Sequence, residues 1–198
     1  MSPFPSLLIV MALEQEAQGV FESAGVPVLY SGLGKVNAAI ALTRRLVEYR
    51  FAGHPLPQVV NFGTAGSRRH ATHSLIGCHA FVQRDMDVSG LGFPVGETPF
   101  ESVPARLEFP EVFDLPAGVC GSGDSFATGS GRGDCDVFDM EAYAYAKVCW
   151  LERTSFCCAK YITDGADHAA GDDWQSNLPR AAHSFLQLYR DLERQGLR

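Results

Sequence analysis

Few of the patterns that assign a function at sight occur in this chain of 198 residues. No run of like charges is long enough to form a tail. The net charge of −7 argues against the basic surface that nucleic acid or an anionic membrane requires. No apolar stretch approaches the ~20 residues of a membrane helix. The opening "MSPFPSLLIVMALEQE" has no basic leader region, so neither a signal peptide nor a membrane span is expected. Six cysteines, at 78, 120, 135, 149, 157 and 158, form no C-x-x-C pair. They fit buried thiols in a reducing cytoplasm better than disulfides or zinc ligands. The histidines show no H-E-x-x-H spacing, and Asp85 and Asp87 in "RDMD" are too few carboxylates to define a metal site. "SGLGK" matches neither the phosphate-loop nor the dinucleotide spacing and reads as a turn for close helix–strand packing. Neither metal nor cofactor is expected. Repeats and low-complexity linkers are absent too, which leaves residues 1–198 as a single domain.

What is present is an ordinary globular composition, 46% hydrophobic and 20% charged. "SLLIVMA" at 6–12 is a continuous apolar run, as in a strand buried on both faces. Residues 14–24 read as a helix ended by Gly25, followed by a short strand in "VPVLYS". Gly32 and Gly34 turn into a helix over 35–51. "PQVVNFG", "LIGCHAFVQRDMDV", "AGVCGSGDSF" and "TSFCCAKYITDGAD" read as further strands, and 140–150 as an apolar helix. An amphipathic helix over 177–194 closes the chain, with Pro179 in its first turn. Strands alternating with helices predict a three-layer α/β/α sandwich around a twisted, largely parallel mixed sheet. Ligands of such sheets bind beyond the carboxyl ends of the strands. Those ends carry Glu16, the turn 61–66, the turn 123–126, Met140–Glu141 and Asp164. Glu141 is unusual there, because a carboxylate opening an otherwise apolar helix is costly to bury without a partner.

Seven segments in collinear order carry a resemblance: "ALEQEA", "SGLGKVNAA", "VVNFGTAGS", "RDMDVSGLGF", "CGSGDSF", "FDMEAYA" and "YITDGAD". The chain resembles the purine nucleoside phosphorylase superfamily and, within it, the methylthioadenosine/S-adenosylhomocysteine nucleosidases. The resemblance implies a purine nucleoside as substrate and assigns roles. Glu16 polarises the attacking water, an ionised Glu141 beside Met140 grips the ribose hydroxyls, and Asp164 protonates N7 of the leaving purine. Phe126 stacks on the base, and Thr64 lies near nucleophile and ribose. Leu13, Leu33, Val88, Leu91, Phe93 and Trp174 line the apolar pocket for the 5′ substituent. It also implies a homodimer or higher homo-oligomer. These acids suit the chemistry. Bond cleavage builds positive charge on the ribose and negative charge on the base, so a carboxylate faces the sugar and a proton donor faces the purine. A dry strand end shifts Asp164 towards its protonated form.

The superfamily's phosphorylases place an arginine two residues before the first glycine of the "G-[ST]-x-G" turn, where this chain has Asn61. A neutral amide lacks the bidentate grip of a guanidinium on phosphate, so water is the expected acceptor. A phosphorylase using Arg68 or Arg69, and a nucleoside-binding protein without catalysis, are the alternatives. Three departures from the nucleosidase pattern bear on substrate choice. No hairpin separates Glu16 from Ser31, the stretch between "GDSF" and "DMEA" is short, and Lys160 replaces a usual arginine.

Overall fold

The computed structural model describes residues 4–125, 134–166 and 170–196. Eight strands form one sheet: β1 (Leu7–Met11), β2 (Val28–Tyr30), β3 (Gln58–Gly66), β4 (Leu75–Gln83), β5 (Arg106–Glu108), β6 (Ala117–Ser122), β7 (Val137–Asp139) and β8 (Phe156–Asp164). The order is β2-β1-β3-β7-β6-β4-β5, with β8 pairing both β3 and β4. The pairs β1–β2, β1–β3, β3–β8, β4–β6 and β6–β7 are parallel. The β3–β7, β4–β5 and β4–β8 pairs are antiparallel. The sheet is therefore mixed, and mostly parallel. β8 is buried along its whole length, as expected of a strand covered on both faces.

Two layers of helices complete the sandwich. Helices α3 (Lys35–Phe51) and α4 (Ala142–Glu152) cover one face through Ala38, Leu42, Leu46, Tyr145 and Cys149. Helices α1 (Glu14–Ala17), α2 (Val20–Ser23) and α5 (Ala170–Arg194) cover the other, where Phe21, Phe62, Tyr161 and Phe185 pack together. All six cysteines are unpaired, five of them buried. No helix among the described residues is long and apolar enough to cross a membrane.

Three local expectations are corrected. The helix expected over 14–24 is broken in two, because Gln18 and Gly19 adopt left-handed φ values of 50° and 70°. Gly19 takes that conformation without strain. The break leaves Glu16 in a single first turn, where it reaches back to the Leu13 amide. The last helix begins at Ala170, not 177, so Pro179 lies inside it and not in its first turn. The extended run expected to continue past "VQ" stops at Gln83, and 84–87 turn away from the sheet.

Candidate active site

Where these strands end, a cavity of about 230 Å³ opens. It is lined by Leu13, Glu16, Leu33, Thr64, Arg84, Ser125, Met140, Glu141, Asp164 and Trp174, together with Ala12 and residues of β3, β7 and β8. Four carboxylates, Glu16, Asp139, Glu141 and Asp164, face a mostly apolar space.

Each acid is held differently. Glu16 sits on α1, directly after β1. Its Oε1 accepts from the Thr64 amide at 2.7 Å and the Thr64 hydroxyl at 2.8 Å, while Oε2 accepts from the Leu13 amide at 3.2 Å. Trp174 donates its indole N–H to the same Thr64 hydroxyl at 2.8 Å, tying α5 to the site. Asp164 closes β8. Its Oδ1 accepts from the Ala166 amide at 2.9 Å and Oδ2 from the Thr163 hydroxyl at 2.8 Å. A Cβ at Gly66 would stand 2.6 Å from Asp164 Oδ1, which is why the strand beside this acid ends in glycine.

Glu141 is the N-cap of α4 and is only 6% exposed. Its Oε1 accepts from the Gly34 amide at 2.8 Å, so the "SGLGK" turn presents a backbone donor to the acid. Gly34 has φ of 89°, a value that favours glycine. The turn is fastened from outside by Lys35, whose ammonium pairs with Asp85 and whose amide donates to Asp124 at 2.8 Å. Asp85 in turn accepts from the Asp124 amide at 2.8 Å, and Asp87 caps the turn at Ser89. The "RDMD" carboxylates thus bind protein groups.

The sequence reading had not singled out Asp139. Its carboxylate pairs with the buried Lys160 ammonium at 2.9 Å and accepts from the Ser122 hydroxyl and the Ala142 amide. Burial opposes its charge, but Lys160 and these hydrogen bonds outweigh burial and hold Asp139 below the usual carboxylate range. Burial likewise favours loss of the Lys160 proton, yet Asp139 keeps the ammonium charged and its pKa above the ordinary lysine value. Glu141 behaves oppositely. Burial first, and then the neighbouring Asp139 charge, push it up to about 8 against the pull of Lys160 and Gly34. Burial therefore shifts Glu141 towards its protonated form.

The cavity brings together Glu16, Glu141, Asp164, Thr64, Met140, Leu33 and Trp174. It does not include Val88, Leu91 or Phe93. These lie in the 84–105 connection, where Leu91 is 73% exposed and the Phe93 ring packs on Phe100. Phe126 lies outside the described residues. Arg84 and Asp139 also line the cavity, although sequence pattern alone does not single them out. A signal for Asp139 existed in "FDMEA", an acid preceding a buried strand-to-helix turn, with Lys160 as the only basic residue of β8.

The chain belongs to the phosphorylase superfamily, whose family model matches residues 18–192. It is 28% identical to the 5′-methylthioadenosine/S-adenosylhomocysteine nucleosidase of Marinomonas sp. (strain MWYL1), over 88% of this chain and 83% of that protein. It is 30% identical to the enzyme of the same name from Anoxybacillus flavithermus, over 86% of this chain and 81% of that one. The fold matches the crystal structure of 5′-methylthioadenosine/S-adenosylhomocysteine nucleosidase from Helicobacter pylori with butyl-thio-DADMe-Immucillin-A. The TM-score is 0.84 at 21% identity, covering 98% of this chain and 100% of that one.

Proposed function

We propose that this protein hydrolyses the N-ribosidic bond of an adenosine-type nucleoside, a 5′-thio-substituted one by preference, releasing the free base and the ribose moiety. The supporting observation is the convergence of Glu16, Glu141 and Asp164 on one cavity with an apolar wall of Leu13, Leu33, Met140 and Trp174. In this reading Glu16, fixed by Thr64 and Leu13, orients water and takes its proton as the water oxygen bonds to the first ribose carbon. The electron pair of the breaking bond leaves with the purine, and Asp164 delivers a proton to N7. Positioned proton transfer of this kind contributes ~10²–10⁴-fold. Glu141 accepts hydrogen bonds from the ribose hydroxyls, which supply the partners its buried charge lacks and pull it towards the ionised form. A carboxylate there also stabilises the developing ribosyl cation. Phe126 is retained as the base-stacking residue of this proposal.

Water is favoured over phosphate by where the basic residues lie. Asn61 is buried, and its amide donates to the Val10 and Phe62 carbonyls at 3.1 and 3.2 Å. Arg68 and Arg69 do not line the cavity. Arg69 pairs with Asp136 at 3.3 Å, and Arg68 points to the Ala166 carbonyl. Among the described residues Arg84 is the only guanidinium that lines the cavity, and its N–H groups bond to Gly123 and Ser125.

We place the protein in the cytoplasm as a single-domain homodimer or higher homo-oligomer. The unpaired thiols support the first. The second is supported by Val36, Ile40, Val47 and Phe51, an exposed apolar stripe along one side of α3 that begins at the cavity-lining Leu33. Incubation with methylthioadenosine, adenosylhomocysteine, adenosine and inosine, with and without phosphate, tests the activity. Base release at the same rate without phosphate is expected, and release that requires phosphate overturns the hydrolase reading. Light scattering on the purified protein tests the assembly.

A further inference from the structure

Three turns contribute one residue each to the cavity wall: Leu33 from 31–35, Arg84 from the residues after β4, and Ser125 from those after β6. Lys35 is not part of that wall and has no role in the chemistry above, yet all three turns meet at its ammonium. We propose that Lys35 is a positioning residue for Glu141: bound to Asp85 and Asp124, it holds the Gly34 amide in place as the donor to the Glu141 carboxylate, and so prepares that carboxylate for the ribose. Only the last step rests on the reading that Glu141 faces the ribose hydroxyls.

Three observations carry it. The first is a closed ring of contacts. Gly34 donates to Glu141 Oε1 at 2.8 Å, and the next residue is Lys35, whose amide donates to Asp124 Oδ1 at 2.8 Å. The Lys35 ammonium pairs with Asp85 and, at 3.7 Å, with Asp124 Oδ2. Asp85 closes the ring by accepting from the Asp124 amide at 2.8 Å. One cation thus holds two carboxylates side by side, and without it like charges face each other. The second is shielding. The Lys35 side chain is only 15% exposed, so water screens its pairing less than it screens an ion pair on the open surface. Burial opposes the charge of Asp85, but Lys35 and the Asp124 amide hold it below the usual carboxylate range. The third is fit. A Cβ at Gly34 would stand 3.1 Å from Asp124 Oδ1, so the ring closes directly over the residue that donates to Glu141. From inside, the Tyr145 hydroxyl, one turn along α4 from Glu141, hydrogen-bonds to Ser31. Loss of Lys35 therefore loosens the Gly34 end without freeing the whole turn. The charged and titratable groups that face Glu141 are Asp139, Lys160, Glu16 and Tyr145. Burial and then Asp139 raise its pKa, Lys160 and the Gly34 amide lower it, and Glu16 raises it further. Of these influences, only the Gly34 amide reaches Glu141 through the turn that Lys35 fastens.

Carbon NMR of the ligand-free protein, labelled at its glutamate carboxyl carbons, follows the titration of Glu141, whose signal is the one missing from Glu141→Gln. Lys35→Met should raise the titration midpoint by about one pH unit, as expected when a hydrogen bond to a charged group weakens, and Lys35→Arg should restore it. Asp85→Asn separates positioning from charge alone. It breaks the ring while removing a negative charge, so positioning raises the Glu141 midpoint, whereas charge alone would lower it. It also decides the matter should Lys35→Met not fold. A midpoint unmoved in Lys35→Met, or unmoved or lowered in Asp85→Asn, would overturn the proposal. Binding of an adenosine C-nucleoside, whose carbon–carbon glycosidic bond resists hydrolysis, is measured in parallel with that of its 2′,3′-dideoxy counterpart. At about pH 7, Lys35→Met should weaken the first about tenfold and the second little. If the midpoints move as stated while both nucleosides weaken alike, the ribose reading fails and the role of Lys35 towards Glu141 stands. If the ribose hydroxyls strengthen binding to the wild type while the midpoints do not move, the reverse holds.

Discussion

Replacing Glu141 by glutamine isolates the effect of the proton that burial holds on this side chain. In the unfolded chain the group titrates near the ordinary glutamate value of 4.5, and in the folded, ligand-free protein burial raises it to about 8. Between those values the folded state holds a proton that the unfolded state has released. Stability contributed by this group is thus fully present below pH 4.5 and is lost as pH rises towards 8. Each pH unit in that window removes ~1.4 kcal/mol, less near its two ends, so the loss between pH 5 and pH 8 is about 3 kcal/mol. Glutamine mimics the protonated acid in shape, and its carbonyl oxygen can still accept from Gly34. Glu141→Gln should therefore match the wild type near pH 5 and exceed it by about 3 kcal/mol at pH 8. Urea denaturation of both proteins at several pH values across this range measures the difference directly. Parallel curves for the two proteins, with no divergence as pH rises, would refute the claim that burial holds a proton on Glu141.

The remaining expectations concern ligand and scaffold. Because ribose hydroxyls need the ionised carboxylate, a ribose-bearing analogue should bind more tightly as pH rises from about 6 to about 8, by up to about tenfold per pH unit, and calorimetry in buffers of different ionisation heat should show proton release on binding. Asp164→Asn should lower kcat by at least ~10²-fold while analogue binding persists, and an unchanged kcat would remove the general-acid role. Lys160→Met leaves the Asp139 carboxylate buried without its cation, so a loss of ~3–5 kcal/mol is expected from denaturation curves. Trp174→Phe keeps an aromatic ring and removes the bond to Thr64, with an expected cost of ~1 kcal/mol in stability and a lower kcat if Glu16 loses its alignment.

Periodicity and turn chemistry carried much of this molecule. Continuous apolar runs marked β1, β3 and β8, because strands covered on both faces admit no polar alternation. Helix α3 was legible to the residue, since Gly34 and the charged pattern after it leave no other start. Where a helix obeys a local break, as at Gln18 and Gly19, the pattern of apolar residues runs on past it and hides the stop. The early start of α5 was hidden for a related reason, because Pro179 reads as a first-turn residue and yet lies within the helix.

The three acids could be named from sequence because each ends or follows a strand, and strand ends in such a sheet converge. Their environments could not. Whether Glu141 carries a charge depends on Asp139 beside it and on Lys160, which is twenty-one residues from Asp139 in the chain and 2.9 Å from it in space. Nothing in "RDMD" indicates that Arg84 turns towards the cavity while Asp85 turns towards Lys35. Nor does anything in "VSGLGF" show that Leu91 is exposed and that the Phe93 ring packs on Phe100. Residue order determined which elements form and which chemical groups sit at their ends, because backbone preference and apolar spacing are local. Only the packed tertiary structure decided which of those groups face one another, and with what protonation, because desolvation and Coulomb interaction depend on distances that the chain order does not contain.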